Sequence, residues 1–103
     1  MGSFEKVAKA SELAPGKGIA VQVGAERVAL FNCDGAFHAI GDVCPHRGGP
    51  LSDGQLDGTN VQCPWHGALF DLCTGKRVAG PSPRDVTSYA VRITGDDVEI
   101  EAP

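Results

Sequence analysis

The chain is poor in several of the side chains that site chemistry uses: 103 residues hold one Met, one Trp, one Tyr and three His, and 9 basic side chains stand against 13 acidic ones. The charge of −4 opposes phosphate contact, which argues against nucleic acid or an anionic membrane as partner and favours a basic protein surface. No window approaches the apolar length of a membrane helix. Met1-Gly2-Ser3-Phe4-Glu5-Lys6 is neither a signal peptide nor a myristoylation site, having Lys6 where Ser or Thr is required. The expectation is a soluble, cytoplasmic monomer. A chain this short builds one modest core and one domain, 1–103.

Turn formers, by contrast, are plentiful. Fourteen Gly and seven Pro make about a fifth of the chain, short of the disordered range and typical of many short strands joined by tight turns. Phe4 to Ala8 reads as a first strand, and Ser11-Glu12-Leu13 as a helical turn that Ala14-Pro15-Gly16 ends. Ile19, Val21 and Val23 alternate with Ala20 and Gln22, as in a half-buried strand. Arg27 to Asn32 and Ala36 to Ile40 flank Asp34-Gly35, a strong hairpin signal. Gln55-Leu56, Val61-Gln62, Leu69 to Asp71 and Lys76 to Val78 read as short strands. Tyr89, Val91 and Ile93 share a face of a closing hairpin that returns through Val98 and Ile100. No repeat, linker or low-complexity segment is visible. The predicted fold is all-β, an antiparallel β-sandwich or barrel. Residues 1–42 and 80–103 form its base, with a small insertion of two ligand loops at 43–79.

Two tight pairs of soft ligands dominate that insertion: Cys44-Pro45-His46, sixteen intervening residues, then Cys63-Pro64-Trp65-His66. Pro45 and Gly48 bracket the first pair and Pro64 and Gly67 the second, which favours rigid loops. Both loops are expected to be hairpin tips. Two thiolates and two imidazoles suit a [2Fe-2S] centre in which His replaces Cys on one iron. One tetrahedral zinc is the rival, but the single-residue gap between Cys44 and His46 falls outside the usual zinc-knuckle spacing. The bland alternative, two buried thiols and two satisfied histidines, requires two Cys/His coincidences among four Cys and three His.

Cys44-Pro45-His46-Arg47-Gly48-Gly49-Pro50-Leu51 and Cys63-Pro64-Trp65-His66-Gly67-Ala68-Leu69-Phe70-Asp71 together resemble the Rieske ferredoxins of bacterial multicomponent, aromatic-ring-hydroxylating dioxygenases. Leu51-Ser52-Asp53-Gly54, Thr74-Gly75, Pro81-Ser82-Pro83 and the closing strands extend the likeness over nearly the whole chain. The resemblance implies a Rieske [2Fe-2S] cluster held by Cys44, His46, Cys63 and His66, with Gly80-Pro81-Ser82-Pro83 covering a third side. It also implies a carrier that moves single electrons from an NAD(P)H-dependent flavoprotein ferredoxin reductase to a terminal oxygenase. Cys44 and Cys63 are expected on the inner iron and His46 and His66 on the outer one.

The ligand chemistry supports that role. With neutral histidines the oxidised cluster carries no net charge, and one electron makes it −1, a cheaper step than adding charge to a four-thiolate cluster. By resemblance, the high-potential Rieske proteins of respiratory complexes join the two loops by a disulfide and add Ser and Tyr hydroxyls. Gly49 and Trp65 stand in place of those cysteines, and Ala68 and Phe70 in place of the hydroxyls. A potential at the low end of the Rieske range follows. Amides around Arg47-Gly48-Gly49 and Gly67-Ala68 are expected to approach the sulfurs. Trp65 reads as docking surface or lid, Arg47 as a partner contact or a solvated side chain, and His38 as an ordinary strand histidine. Cys33 and Cys73 read as free thiols in a reducing compartment. A mononuclear oxygenase iron needs two His and a carboxylate, and only His38 remains once His46 and His66 are assigned, so the chain is not itself the oxygenase. Two other functions stay open: a Rieske-like small subunit of a nitrite-reductase-type complex, and a zinc-stabilised binding module without redox chemistry.

Overall fold

The structure is a computed structural model that describes residues 3–45, 48–65, 67–80 and 84–102. The expectations placed on Met1-Gly2, His46, Arg47, His66 and Pro81-Ser82-Pro83 therefore lie outside the described residues. Among the described residues, eleven strands form three antiparallel sheets. The central sheet has the order β2-β3-β4-β9, from Gly18–Val23, Glu26–Cys33, Ala36–Gly41 and Ser88–Tyr89. A second sheet, β1-β11-β10, is made of Phe4–Lys9, Asp97–Glu101 and Val91–Thr94. The third, β5-β6-β7-β8, is a meander of Gln55–Asp57, Asn60–Gln62, Leu69–Asp71 and Arg77–Ala79.

Strand β3 explains the layering. Val28, Ala29, Leu30, Phe31 and Asn32 are all buried, because this strand has a packed layer on each face. Ala29 and Phe31 point into one core with Ile40, Leu51, Val61, Phe70, Leu72 and the two cysteines Cys44 and Cys63. Val28 and Leu30 point into the other, with Val23, Ala39, Val98 and Ile100. Side chains that alternate across a strand thereby read as one continuous apolar run. The β3-β4 hairpin turns at Asp34 (φ 56°) and Gly35 (φ 96°), the two positive φ values of a type I′ turn.

Three sequence expectations change. Among the described residues no sheet closes on itself, so the barrel alternative fails: the central sheet ends at β2 and β9, and the other two sheets pack on its faces. Tyr89 does not continue into Val91 and Ile93 as one strand. It pairs with Ala39 in the central sheet while Val91 pairs with Ile100, and the chain changes sheets at Ala90, whose carbonyl accepts the Glu101 N–H at 3.0 Å. Ile93, on the face of Val91, is exposed. Ile19 is likewise exposed, since only Val21 and Val23 of edge strand β2 reach the second core.

Candidate metal centre

The two cysteine loops are built alike. The first is closed by an antiparallel bridge between Val43 and Pro50 and the second by the β6-β7 pair Gln62 and Leu69, so each is a hairpin tip. In the first, Cys44 N–H donates to Gly49 O at 2.9 Å and Gly48 N–H to Cys44 O at 2.7 Å; in the second, Cys63 N–H donates to Ala68 O at 2.7 Å and Gly67 N–H to Cys63 O at 3.0 Å. Gly48 and Gly67 have φ of 77° and 78°, the left-handed conformation that an L side chain resists. A short repeat, Cys-Pro-x-x-Gly, underlies both loops. Sequence reading missed it because the histidine stands two residues after the first cysteine and three after the second. The Gly48 and Gly67 amides thus close their own loops.

Both thiols are withdrawn from water, Cys44 being 1% and Cys63 2% exposed. They share one apolar core with Leu51, Ala68 and Phe70. A Cβ added to Gly49 would lie 3.1 Å from Cys63 Sγ and 3.0 Å from the Trp65 ring, so the two loops face one another across that glycine. Trp65 leans on the first loop and still exposes 56% of its surface, and Val43 is exposed as well. None of the four cysteines is in a disulfide. Buried thiolates are costly without a neutralising metal, and a pair presented by two facing, rigid loops fits the thiolate half of an iron–sulfur ligand set. The imidazole half, His46 and His66, is outside the described residues, and those residues alone contain no metal-binding group of three His, Cys, Asp or Glu.

Two residues support the loops, and Asp42 was not foreseen. Asp42 is 1% exposed and fixes both ends of the first loop. Its carbonyl accepts the Leu51 N–H at 2.7 Å, its carboxylate accepts the Ser52 N–H at 2.7 Å and Arg27 Nε–H at 2.5 Å, and its own N–H donates to Arg27 O at 3.1 Å. An aspartate inside the apolar run Phe37 to Val43 was the available signal. Gly80, just before Pro81, backs onto the second loop: an added Cβ would meet Ala68 Cα at 2.6 Å. His38 lies in β4, with Nε2 4.0 Å from Cys73 Sγ.

Comparison with known proteins agrees with this geometry. The Rieske [2Fe-2S] domain matches residues 3–90. The ferredoxin subunit of 3-phenylpropionate/cinnamic acid dioxygenase from Shigella boydii is 43% identical over 77 residues, 74% of this chain and 73% of the relative. The ferredoxin of carbazole 1,9a-dioxygenase from Nocardioides aromaticivorans is 28% identical and superposes with a TM-score of 0.91 over 98% of each chain. A putative NADH-dependent nitrite reductase small subunit from Mycobacterium tuberculosis also superposes at 0.91, with 27% identity, over 100% of this chain and 97% of its own. Two like-built loops with buried, facing thiols, together with a domain match over most of the chain, place it in the Rieske [2Fe-2S] domain family, with a single Rieske-type cluster as its cofactor.

Proposed function

We propose that this chain is a one-electron carrier that takes electrons from an NAD(P)H-dependent flavoprotein reductase and passes them to the terminal oxygenase of an aromatic-ring dioxygenase system. The observation that carries the reading is the pair of buried thiols on facing loops, with an exposed Trp65 against them. Cys44, His46, Cys63 and His66 are the ligands in this reading, the thiolates on one iron and the imidazoles on the other. When bound, the cluster supplies one reversible electron. The chain's own part is to keep water off the thiolates through the Phe31, Leu51 and Phe70 core, to hold both loops rigid, and to present a contact face around Trp65. Residues 43–79 act as the cluster-holding insertion, with 1–42 and 80–103 as its base. The carrier is a cytoplasmic monomer in this reading and docks to neither nucleic acid nor membrane; among the described residues no helix is long and apolar enough to cross a membrane.

Ala68 and Phe70, both fully buried, give the reduced centre no hydroxyl, and the Gly49–Trp65 contact replaces a loop-joining disulfide. Fewer donors stabilise the added negative charge, which supports a midpoint near about −150 mV, at the low end of the Rieske range. The test is the rate of electron transfer from the reduced protein to its oxygenase as ionic strength rises. A chain of charge −4 meeting a basic surface loses encounter rate as salt screens the attraction, so the rate falls with salt, and a flat rate contradicts this docking. A second reading, the small subunit of a nitrite-reductase-type complex, is favoured only by the superposition at 0.91. It predicts co-purification with one large partner at every salt concentration.

A further inference from the structure

Outside the loops, the remaining two cysteines and the remaining described histidine come together. In the β3-β4 hairpin Phe31 pairs with His38 and Cys33 with Ala36. Cys33 lies two residues from Phe31, so Cys33 and His38 are diagonal neighbours on the same face of the sheet, the face turned toward the core that holds the ligand cysteines. Cys73 reaches that spot from the third sheet, with Sγ 4.0 Å from His38 Nε2. Its position is rigid. Leu72, the preceding residue, is buried, and Asp71 Oδ1 accepts the Cys73 and Thr74 N–H groups at 2.7 and 3.2 Å. Asp71 O accepts the Gly75 N–H at 2.7 Å.

We propose that Cys33, His38 and Cys73 form a second redox site, a dithiol with its own base that closes to an intramolecular Cys33–Cys73 disulfide in response to a hydroperoxide. The roles divide by exposure. Cys73 is exposed and Cys33 half-buried, so Cys73 meets the oxidant and Cys33 resolves the product. Burial, and then the adjacent Cys73 charge, push the Cys33 thiol up, which suits a thiol that reacts second. His38 Nε2 accepts the Cys73 S–H proton. The thiolate then attacks the peroxide O–O bond, forming the S–O bond of a sulfenic acid, and the departing oxygen leaves as water or alcohol after taking up a proton. Cys33 sulfur attacks the sulfenic sulfur, its S–H proton leaves with the hydroxyl as water, and the S–S bond forms. Two electrons pass from two thiols to one peroxide. Cys33 precedes and Cys73 follows all four proposed cluster ligands, so the closed form ties off the segment that carries them. The site stands whether or not the electron-carrier reading holds.

The experiment treats the purified holoprotein with stoichiometric hydrogen peroxide, alkylates remaining thiols and maps peptides without reduction. The expected result is loss of two hydrogens from the intact chain, a cross-link between the Cys33 and Cys73 peptides, an unchanged visible spectrum, a higher thermal midpoint, and reversal by dithiothreitol. In C33S the cross-link is lost and dimedone traps Cys73 as the sulfenic acid. In H38Q closure is slower but gives the same product. Alkylation of both cysteines after peroxide overturns the proposal, as does a Cys73-linked dimer or oxidation of Cys73 alone in the wild-type chain.

Discussion

Replacing Asp42 by alanine removes a carboxylate that is 1% exposed from between Arg27 and Ser52. The Ser52 N–H, in a residue only 8% exposed, is left without this acceptor, at about 1–3 kcal/mol for a buried orphan donor. The Arg27 ion pair adds less. Its guanidinium side chain is 59% exposed and returns to water, so that part is closer to the roughly 0–1 kcal/mol of a surface pair. The two together come to about 1–4 kcal/mol, or a midpoint lower by roughly 4–30 °C for a domain of this size. Asp42→Asn is the control, because its amide oxygen still accepts the Ser52 N–H and only the charge is lost, at about 1 kcal/mol. Since the same residue ties both ends of the Cys44 loop, Asp42→Ala should also bleach the cluster absorbance at lower temperature than wild type. Thermal and guanidinium unfolding of the holoprotein, read by circular dichroism and visible absorbance, measure both. If alanine costs no more than asparagine, or lies within about 0.5 kcal/mol of wild type, the clamp does not act as described.

Gly80→Ala forces a side chain onto a backbone at φ 92° against Ala68 Cα; the conformation alone costs about 1–2 kcal/mol, and cluster loss on heating should come earlier than in wild type. Ala68→Ser with Phe70→Tyr supplies the missing hydroxyl donors at two buried positions and should raise the midpoint in voltammetry. At about 1.5 kcal/mol per donor to a charged acceptor, the rise is on the order of 60 mV for each bond formed, and no rise sinks the low-potential argument. Ser11 donates its hydroxyl and N–H to Asp96 at 2.7 and 2.9 Å, and these bonds hold the Asp96 carboxyl below its ordinary value. A depressed folded-state value stabilises the protein above the unfolded carboxylate range, and the benefit is lost as pH falls through the folded value. Ser11→Ala should therefore lower stability at neutral pH and flatten the acid limb of a stability–pH profile, leaving stability below the folded carboxyl value little changed.

Local signals were the legible ones. Asp34-Gly35 announced its hairpin, and Pro and Gly around each Cys/His pair announced rigid tips, because turn chemistry is written in adjacent residues. Strand partnership was not legible. The passage from Tyr89 to Val91 between two sheets carries no Gly or Pro to mark it, and the failure of any sheet to close depends on pairings dozens of residues apart. Within the site, the four ligand candidates stood out by residue type, whereas Asp42 did not. A single aspartate has no period, and its value comes from an arginine fifteen residues earlier and an amide ten residues later. The alternation of β2 overstated burial at Ile19, since period-two patterning says which face a side chain takes but not how far the covering layer extends.

The central claim is that the two Cys-Pro-x-x-Gly loops hold the electron-carrying cluster, and iron and sulfide content across a scan of the cysteines and loop histidines tests it most directly. Cys44→Ser, Cys63→Ser, His46→Ala and His66→Ala should each lose the Rieske cluster and its dithionite-bleachable absorbance, while Cys33→Ser and Cys73→Ser keep the two irons and two sulfides of a [2Fe-2S] centre. A Cys44→Ser protein that keeps its cluster while Cys33→Ser or Cys73→Ser loses it contradicts the assignment. So does a colourless wild-type chain that binds a single zinc.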